Sequence, residues 1–164
     1  MKGTFITLFC FIVLIFTACD SGTGLSDDIN GEIAIQLEKN PASSAGTSSP
    51  YTPFILQEDI VSYDWETHTL TLTLEGILKF SSKPITDRKK FFVTIGDKEM
   101  YSGEFYNPAM SYIIKAPVIS ILGNTGLSKR QFRIDKGYPP HLAEKDQRNN
   151  MQLYNALKAR NLLQ

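Results

Sequence analysis

The hydrophobic pattern divides the chain into an N-terminal apolar run and a longer part in which apolar and polar residues alternate. Residues 5–16 contain a single polar residue, Thr7, and Lys2 places a positive charge before them. A helix needs about 20 apolar residues to cross the roughly 30 Å hydrocarbon core of a bilayer, so this run is too short to span one. An apolar run of this length after a basic residue is typical of a secretory signal peptide.

Alternation of apolar and polar residues predicts several strands in the rest of the chain. In residues 32–38, the side chains of Ile33, Ile35 and Leu37 fall on one face. The same pattern predicts strands at residues 69–73, 111–122 and 131–134. Pro117 marks its strand as an edge or bulged strand, because proline cannot donate a hydrogen bond to a neighbour.

Residues 91–105 (FFVTIGDKEMYSGEF) predict a β-hairpin, with the glycine and aspartate at its centre as the two loop residues. In that register Val93 faces Met100, and Phe92 faces Tyr101. Since neighbouring residues of a strand point to opposite faces, placing Val93 and Met100 in the core leaves Phe92 and Tyr101 on the other face. The hairpin therefore predicts an aromatic pair outside the main core.

A turn is predicted within residues 59–73, where alternate positions change from charged to apolar residues. A single strand would carry Asp64, Glu66 and His68 on the same face as the leucines that follow, which one core cannot accommodate. A turn that includes Glu66 and His68 resolves the conflict. Carboxylates and imidazole suit divalent metals, but a turn separates these three side chains, so no metal site is predicted. Asp64 is expected instead to accept hydrogen bonds from the local backbone of a solvated turn.

Two helices complete the predicted domain. A short helix is expected at residues 74–80, and apolar residues at helical spacing predict a second at residues 147–161, with Asp146 as its N-cap. Strands followed by a terminal helix indicate an α+β fold, with a small, mostly antiparallel sheet and a C-terminal helix packed on it.

The composition between the predicted elements sets the predicted domain boundaries. Residues 39–53 are rich in Pro, Ser, Ala and Gly, as is typical of a mobile linker. The chain is therefore expected to comprise a signal peptide (residues 1–18), a flexible tether with one short strand and the linker (residues 19–53), and an α+β domain (residues 54–164).

The end of the apolar run carries the strongest sequence signal. Phe16, Thr17 and Ala18 precede Cys19, and the only other cysteine, Cys10, lies inside the apolar run. This arrangement resembles the lipobox of bacterial lipoprotein precursors. The resemblance implies acylation of the Cys19 thiol and cleavage between Ala18 and Cys19. An ordinary signal peptide cleaved at the same bond, with Cys19 incidental, is the alternative.

The mature chain resembles a recurrent module of small bacterial envelope lipoproteins that has no assigned function. The matching stretches are DIVSYDWETHTLTL, MYSGEF and RNNMQLYNALKARNLL, which lie within residues 59–164. The resemblance implies a location in the bacterial cell envelope, outside the cytoplasm, and anchoring of the protein to a lipid bilayer through acylated Cys19.

Charge and motifs restrict the chemistry. The 17 basic and 17 acidic residues balance, but the charged residues in 20–66 are mainly acidic and those in 123–164 are mainly basic. That polarity suits recruitment of a partner, although solvated faces and helix ends produce the same pattern. No stretch is basic enough to indicate nucleic acid. The chain contains no P-loop, HExxH or GxSxG motif, so neither a catalytic residue nor a cofactor is assigned.

Tyrosines are the remaining candidates for a functional site. Tyr101, Tyr106 and Tyr112 cluster around the predicted hairpin, and tyrosine offers a large rigid surface with a polar tip. These residues are candidates for binding an envelope protein or polymer, and packing in the core is the alternative for each. The sequence predicts a non-enzymatic binding or accessory module. A small extracytoplasmic enzyme acting on an envelope substrate is the alternative.

Overall fold

The computed structural model of the protein describes residues 30–39, 50–121, 130–143 and 145–164. The predicted signal peptide, Ala18, Cys19 and residues 40–49 of the predicted linker lie outside these ranges. No helix within the described ranges is long and apolar enough to cross a membrane.

The described residues form an α+β fold, as predicted. In chain order the elements are β1 (Ile33–Glu38), β2 (Tyr51–Ile55), β3 (Ile60–Asp64), β4 (Thr69–Leu72), α1 (Leu74–Ser82), β5 (Lys90–Ile95), β6 (Lys98–Tyr106), β7 (Val118–Ser120), β8 (Gln131–Arg133) and α2 (Met151–Ala159), with 3-10 turns at Gln57–Asp59 and Pro140–Leu142. A five-stranded sheet has the order β2-β1-β5-β6-β7, and a three-stranded sheet has the order β3-β4-β8. Strand pairing is antiparallel except between β6 and β7.

The larger sheet begins earlier in the chain than the predicted domain start at residue 54. Strand β1 lies between β2 and β5, and Ile33 and Ile35 are almost completely buried. The segment assigned to the tether is thus an interior strand of the sheet. Strand β2 begins at Tyr51, inside the predicted linker. Composition alone missed β2 because its five residues include a proline and a threonine. The strand is held by pairing with β1, which is distant from it in the chain.

A single core joins the two sheets and both helices. At its centre the Phe105 ring lies 5.4 Å from Phe91, 5.8 Å from Phe80 and 6.3 Å from Phe54, measured between ring centroids. Phe132 of β8 extends the group, with its ring 5.2 Å from Phe80. The tilted and edge-on arrangements are those that aromatic rings prefer.

The hairpin has the predicted two-residue loop, and Gly96 adopts the positive φ of 55° that such a loop requires. Its predicted register is wrong. Val93 pairs with Tyr101, and a bulge between Val93 and Thr94 leaves Met100 without a directly opposite residue. Because one extra residue turns the following side chains to the other face, Tyr101 points into the core beside Val93.

Local hydrogen bonds form the turn after β3 and begin α1, and both elements lie where the sequence predicts them. Asp64 Oδ1 accepts hydrogen bonds from the backbone N–H groups of Glu66 and Thr67, at 2.9 and 3.0 Å, which confirms the turn. Thr73 Oγ1 accepts a hydrogen bond from the Gly76 N–H at 3.1 Å and begins α1 directly after β4.

Two predicted elements are shorter than expected. Helix α2 is capped by Asn150, whose Oδ1 accepts hydrogen bonds from Gln152 and Leu153 N–H groups. Asp146 does not cap it, because its carboxylate is bound by the side chain and backbone of Arg148. The strand predicted at residues 111–122 is limited to β7 at the sheet edge, and the residues before it form a long loop.

Gly103 is a position where the fold has no room for a side chain. A Cβ atom there would overlap the Pro117 carbonyl oxygen and the fully buried Phe91 ring. We expect Gly103→Ala to lower the free energy of unfolding by about 1–3 kcal/mol, as overpacking of a filled core does, measured by urea denaturation. Ser102→Ala, on the half-buried opposite face, is the control and should change it by less. An unchanged denaturation midpoint for Gly103→Ala would contradict this packing.

Candidate functional site

The three candidate tyrosines lie in two different places. Tyr101 is 4% exposed and belongs to the main core, whereas Tyr106 and Tyr112 belong to a smaller cluster with Ile114 and Val118. A side chain as buried as Tyr101 cannot present a surface to a partner. The interpretation of Tyr101 as a binding residue is therefore wrong, and the cause is the bulge in the hairpin.

The smaller cluster holds two loops together. The Tyr106 ring stacks on the Tyr138 ring at a centroid distance of 4.5 Å. Tyr138 also exchanges two backbone hydrogen bonds with Ile114, of 2.7 and 2.8 Å, and its hydroxyl donates to the Pro108 carbonyl at 3.5 Å. Residues 107–116 and 136–143 thereby form one packed unit. Sequence reasoning missed this contact because Tyr138 lies in a loop distant in the chain from Tyr106.

A third segment is fixed to this unit through Asp87. Its carboxylate accepts a hydrogen bond from the Asn107 N–H at 2.8 Å and another from the Tyr112 hydroxyl. Desolvation, followed by the bond to Asp87, raises the pKa of Tyr112. The Arg88 guanidinium lies 5.4 Å from the centre of the Tyr112 ring and forms an ion pair of 2.6 Å with Glu104. Tyr112 is thus held through both its hydroxyl group and its ring.

Residues 86–90, 107–116 and 136–143 together form what we call the distal surface. Met110, Ile113 and Leu142 within it are 51%, 60% and 38% exposed. Ile113 stands next to the buried Ile114, and Leu142 follows the Pro139–Pro140 pair in a 3-10 turn. The buried tyrosine cluster therefore supports a set of outward apolar side chains.

The distal surface lies at the opposite end of the larger sheet from the start of β1. The Gly96 N–H in the β5–β6 loop donates to the Glu32 carbonyl at 2.9 Å, which places the entry to β1 beside that loop. Strand β6 leaves the same loop and ends at Tyr106. Its nine residues separate the two ends by roughly 25–30 Å at about 3.4 Å per residue.

A second group of polar side chains lies inside the core. Tyr63 Oη is 2.8 Å from His68 Nδ1 and hydrogen-bonded to it, and both residues are nearly inaccessible to solvent. The His68 ring also packs against Trp65, whose ring lies 5.0 Å from Tyr154 of α2. The sequence placed His68 in a solvated turn. The structure instead turns it inward with a positive φ of 52°.

Burial controls the ionisation of this group. It raises the pKa of Tyr63 and Tyr101 and lowers that of His68, which the nearby Arg148 guanidinium lowers further. All three side chains are neutral at neutral pH. The cavity lined by Tyr63 and Tyr101 has a volume of about 20 Å³, far below the few hundred cubic ångströms of a ligand pocket. The buried group is thus part of the framework of the fold.

Asp64, Glu66 and His68 do not come together. Asp64 is bound to the turn backbone, and His68 points into the core. Within the described ranges, no three His, Cys, Asp or Glu side chains are arranged to hold a metal ion.

Comparisons with protein-family models, with curated proteins and with solved structures give no match for this chain. The chemistry and geometry of the distal surface, together with the sequence, therefore carry the functional inference.

The lowered pKa of His68 predicts a loss of stability in mild acid. Above pH ~6.5, the ordinary pKa of histidine, the ring is neutral in the folded and unfolded states. Below that pH the unfolded chain takes up a proton that the buried ring resists, so the free energy of unfolding falls as the pH drops. We expect urea denaturation of the wild-type protein to show this decline between about pH 6.5 and pH 5.

His68→Gln should remove that part of the pH dependence, even if it lowers stability at every pH. His141→Gln is the matched control, because His141 is exposed in a 3-10 turn, and should leave the decline intact. A His68→Gln protein that declines as steeply as the wild type over this range would show that His68 is not the titrating group.

Proposed function

We propose that this protein is a lipid-anchored bacterial envelope protein whose folded part is a non-enzymatic binding module, with the distal surface as its binding site. The observation that carries the proposal is that the entry to β1 and the distal surface lie at opposite ends of the larger sheet. The entry to β1 lies beside the β5–β6 loop, whereas the exposed apolar side chains lie at the far end of β6. Attachment through the N-terminal side therefore allows the distal surface to face away from the bilayer.

The length of the tether fits this arrangement. Thirteen residues separate Cys19 from Ile33, and a chain of that length reaches at most about 45 Å. The domain would then stay close to the membrane while its distal end, a further 25–30 Å away by the rise per residue of β6, reaches toward neighbouring molecules. Tethering raises the effective concentration of the module for any partner in the same envelope layer.

Lipid anchoring through Cys19 is tested by labelling cells with a radioactive fatty acid. Each buried methylene adds about 0.8 kcal/mol to membrane affinity, so two or three acyl chains anchor a protein firmly. We expect the wild-type protein to incorporate label and to sediment with membranes, and Cys19→Ala to lose the label completely. Cys10→Ala is the matched control and should be labelled like the wild type. Undiminished label in Cys19→Ala would overturn the anchoring proposal.

A further inference from the structure

The distal surface carries a strong excess of positive charge in a chain whose overall charge is zero. Its three segments contain one acidic residue, Asp87, against five basic ones: Arg88, Lys89, Lys90, Lys115 and Lys136. Lys90 and Lys115 are exposed. Positive potential concentrated at one end attracts and orients anionic partners.

The acidic groups at this end are used in holding the segments together. Asp87 accepts hydrogen bonds from Asn107 and Tyr112, and Glu104, which lies next to the surface, forms an ion pair with Arg88. Asp135, which directly precedes Lys136, pairs with Arg133 at 2.7 Å. With Glu104, Arg133 and Asp135 counted, this end has six basic and three acidic residues, so an excess of positive charge remains. The hydrogen bonds to Asp87 also fix residues 86–90 against residues 107–116, so the lysines of the first segment and the apolar side chains of the second lie at the same end of the larger sheet.

The exposed apolar side chains of the distal surface lie on loops that are themselves packed. Met110 and Ile113 lie on a loop whose backbone pairs with Tyr138, and Leu142 lies on the loop that continues from Tyr138. Single exposed apolar residues are ordinary on protein surfaces. Three on two adjoining loops whose backbones are already packed lose little backbone entropy when a partner binds, and such preorganisation favours binding.

We infer that the distal surface binds an acidic segment of another protein. Carboxylates of the segment pair with the lysines, and its apolar side chains cover Met110 and Ile113. The exposed apolar residues favour a protein over an anionic polysaccharide, which offers much less apolar surface to cover them. The position opposite the entry to β1 favours a protein over the anchoring bilayer. This last argument rests on the proposed function, whereas the charge and the exposed side chains do not.

The probe is a fluorescein-labelled 12-residue peptide of alternating glutamate and leucine, and its counterpart has lysine in place of glutamate. The full chain, purified from membranes in a neutral detergent, is titrated with each peptide and followed by fluorescence anisotropy. We expect the glutamate peptide to bind at least about tenfold more tightly than the lysine peptide. Its affinity should fall as the salt concentration is raised from about 50 to about 500 mM, because salt screens exposed charges.

Variants assign the binding to the distal surface. Lys89→Glu with Lys90→Glu, and separately Lys115→Glu, should weaken binding of the glutamate peptide by about tenfold or more, and Met110→Ser with Ile113→Ser should also weaken it. The matched control is Leu74→Ser with Leu78→Ser on α1, where the two leucines are 61% and 52% exposed. It should change the affinity by less than about twofold. Thermal denaturation of each variant identifies any that fail to fold.

Three outcomes would overturn the inference: equal binding of the two peptides, equal weakening by the α1 control, or displacement of the peptide by phosphatidylglycerol vesicles that bind through Met110 and Ile113. The last would make a bilayer the occupant. Mass spectrometry of the same preparation reports acylation of Cys19 independently. An unacylated chain that binds the glutamate peptide would overturn only the anchoring proposal, and an acylated chain that does not bind it would overturn only this inference.

Discussion

The packing of the Phe105 ring against three other phenylalanines is the interaction on which the rest of the structure depends. Phe105 is fully buried and contacts β2 through Phe54, α1 through Phe80 and β5 through Phe91. One side chain thereby joins the edge of the larger sheet, its interior and the helix that follows the smaller sheet. Burying a side chain of this size contributes about 1.5–3 kcal/mol through the hydrophobic effect alone. Phe80 in turn contacts Phe132 of β8, which links this packing to the smaller sheet.

Strand β6 connects the packing around Phe105 to the distal surface. Phe105 is followed by Tyr106, which faces the smaller cluster and stacks on Tyr138. The loops beyond the sheet are therefore held by a continuation of the same strand and by hydrogen bonds to Asp87. A surface that carries exposed apolar side chains can keep its shape only if something beneath it is packed, and β6 connects that packing to the main core.

The main core also contains a group of neutral polar side chains. Tyr63, His68 and Tyr101 lie where β3, β6 and α2 approach one another, and the C-terminal residues add backbone hydrogen bonds between Tyr63 and both Leu162 and Gln164. Buried polar groups are costly unless they are hydrogen-bonded. The Tyr63–His68 bond therefore orients the turn after β3 and holds the His68 imidazole inside the fold.

The sequence by itself determined what depends on residues a few positions apart. Alternation predicted β1, β4 and the hairpin with its glycine loop, and the Asp64 turn followed from an aspartate that bonds the backbone just after it. The α+β class also followed from local patterns. Of the site, the sequence identified Tyr106 and Tyr112 as neighbours of a loop, and it identified Cys19 as a candidate for acylation.

Only the tertiary structure decided what depends on contacts between distant residues. The bulge between Val93 and Thr94 has no local sequence signature, because it is set by which side chains fill the core. As a result, Tyr101 lies in the interior and not on the predicted surface. The inward turn of His68 and the stacking of Tyr138 on Tyr106 are likewise contacts with other elements. Hydrophobic burial has no direction of its own, so the alternation that marks a strand cannot say which neighbours will cover it.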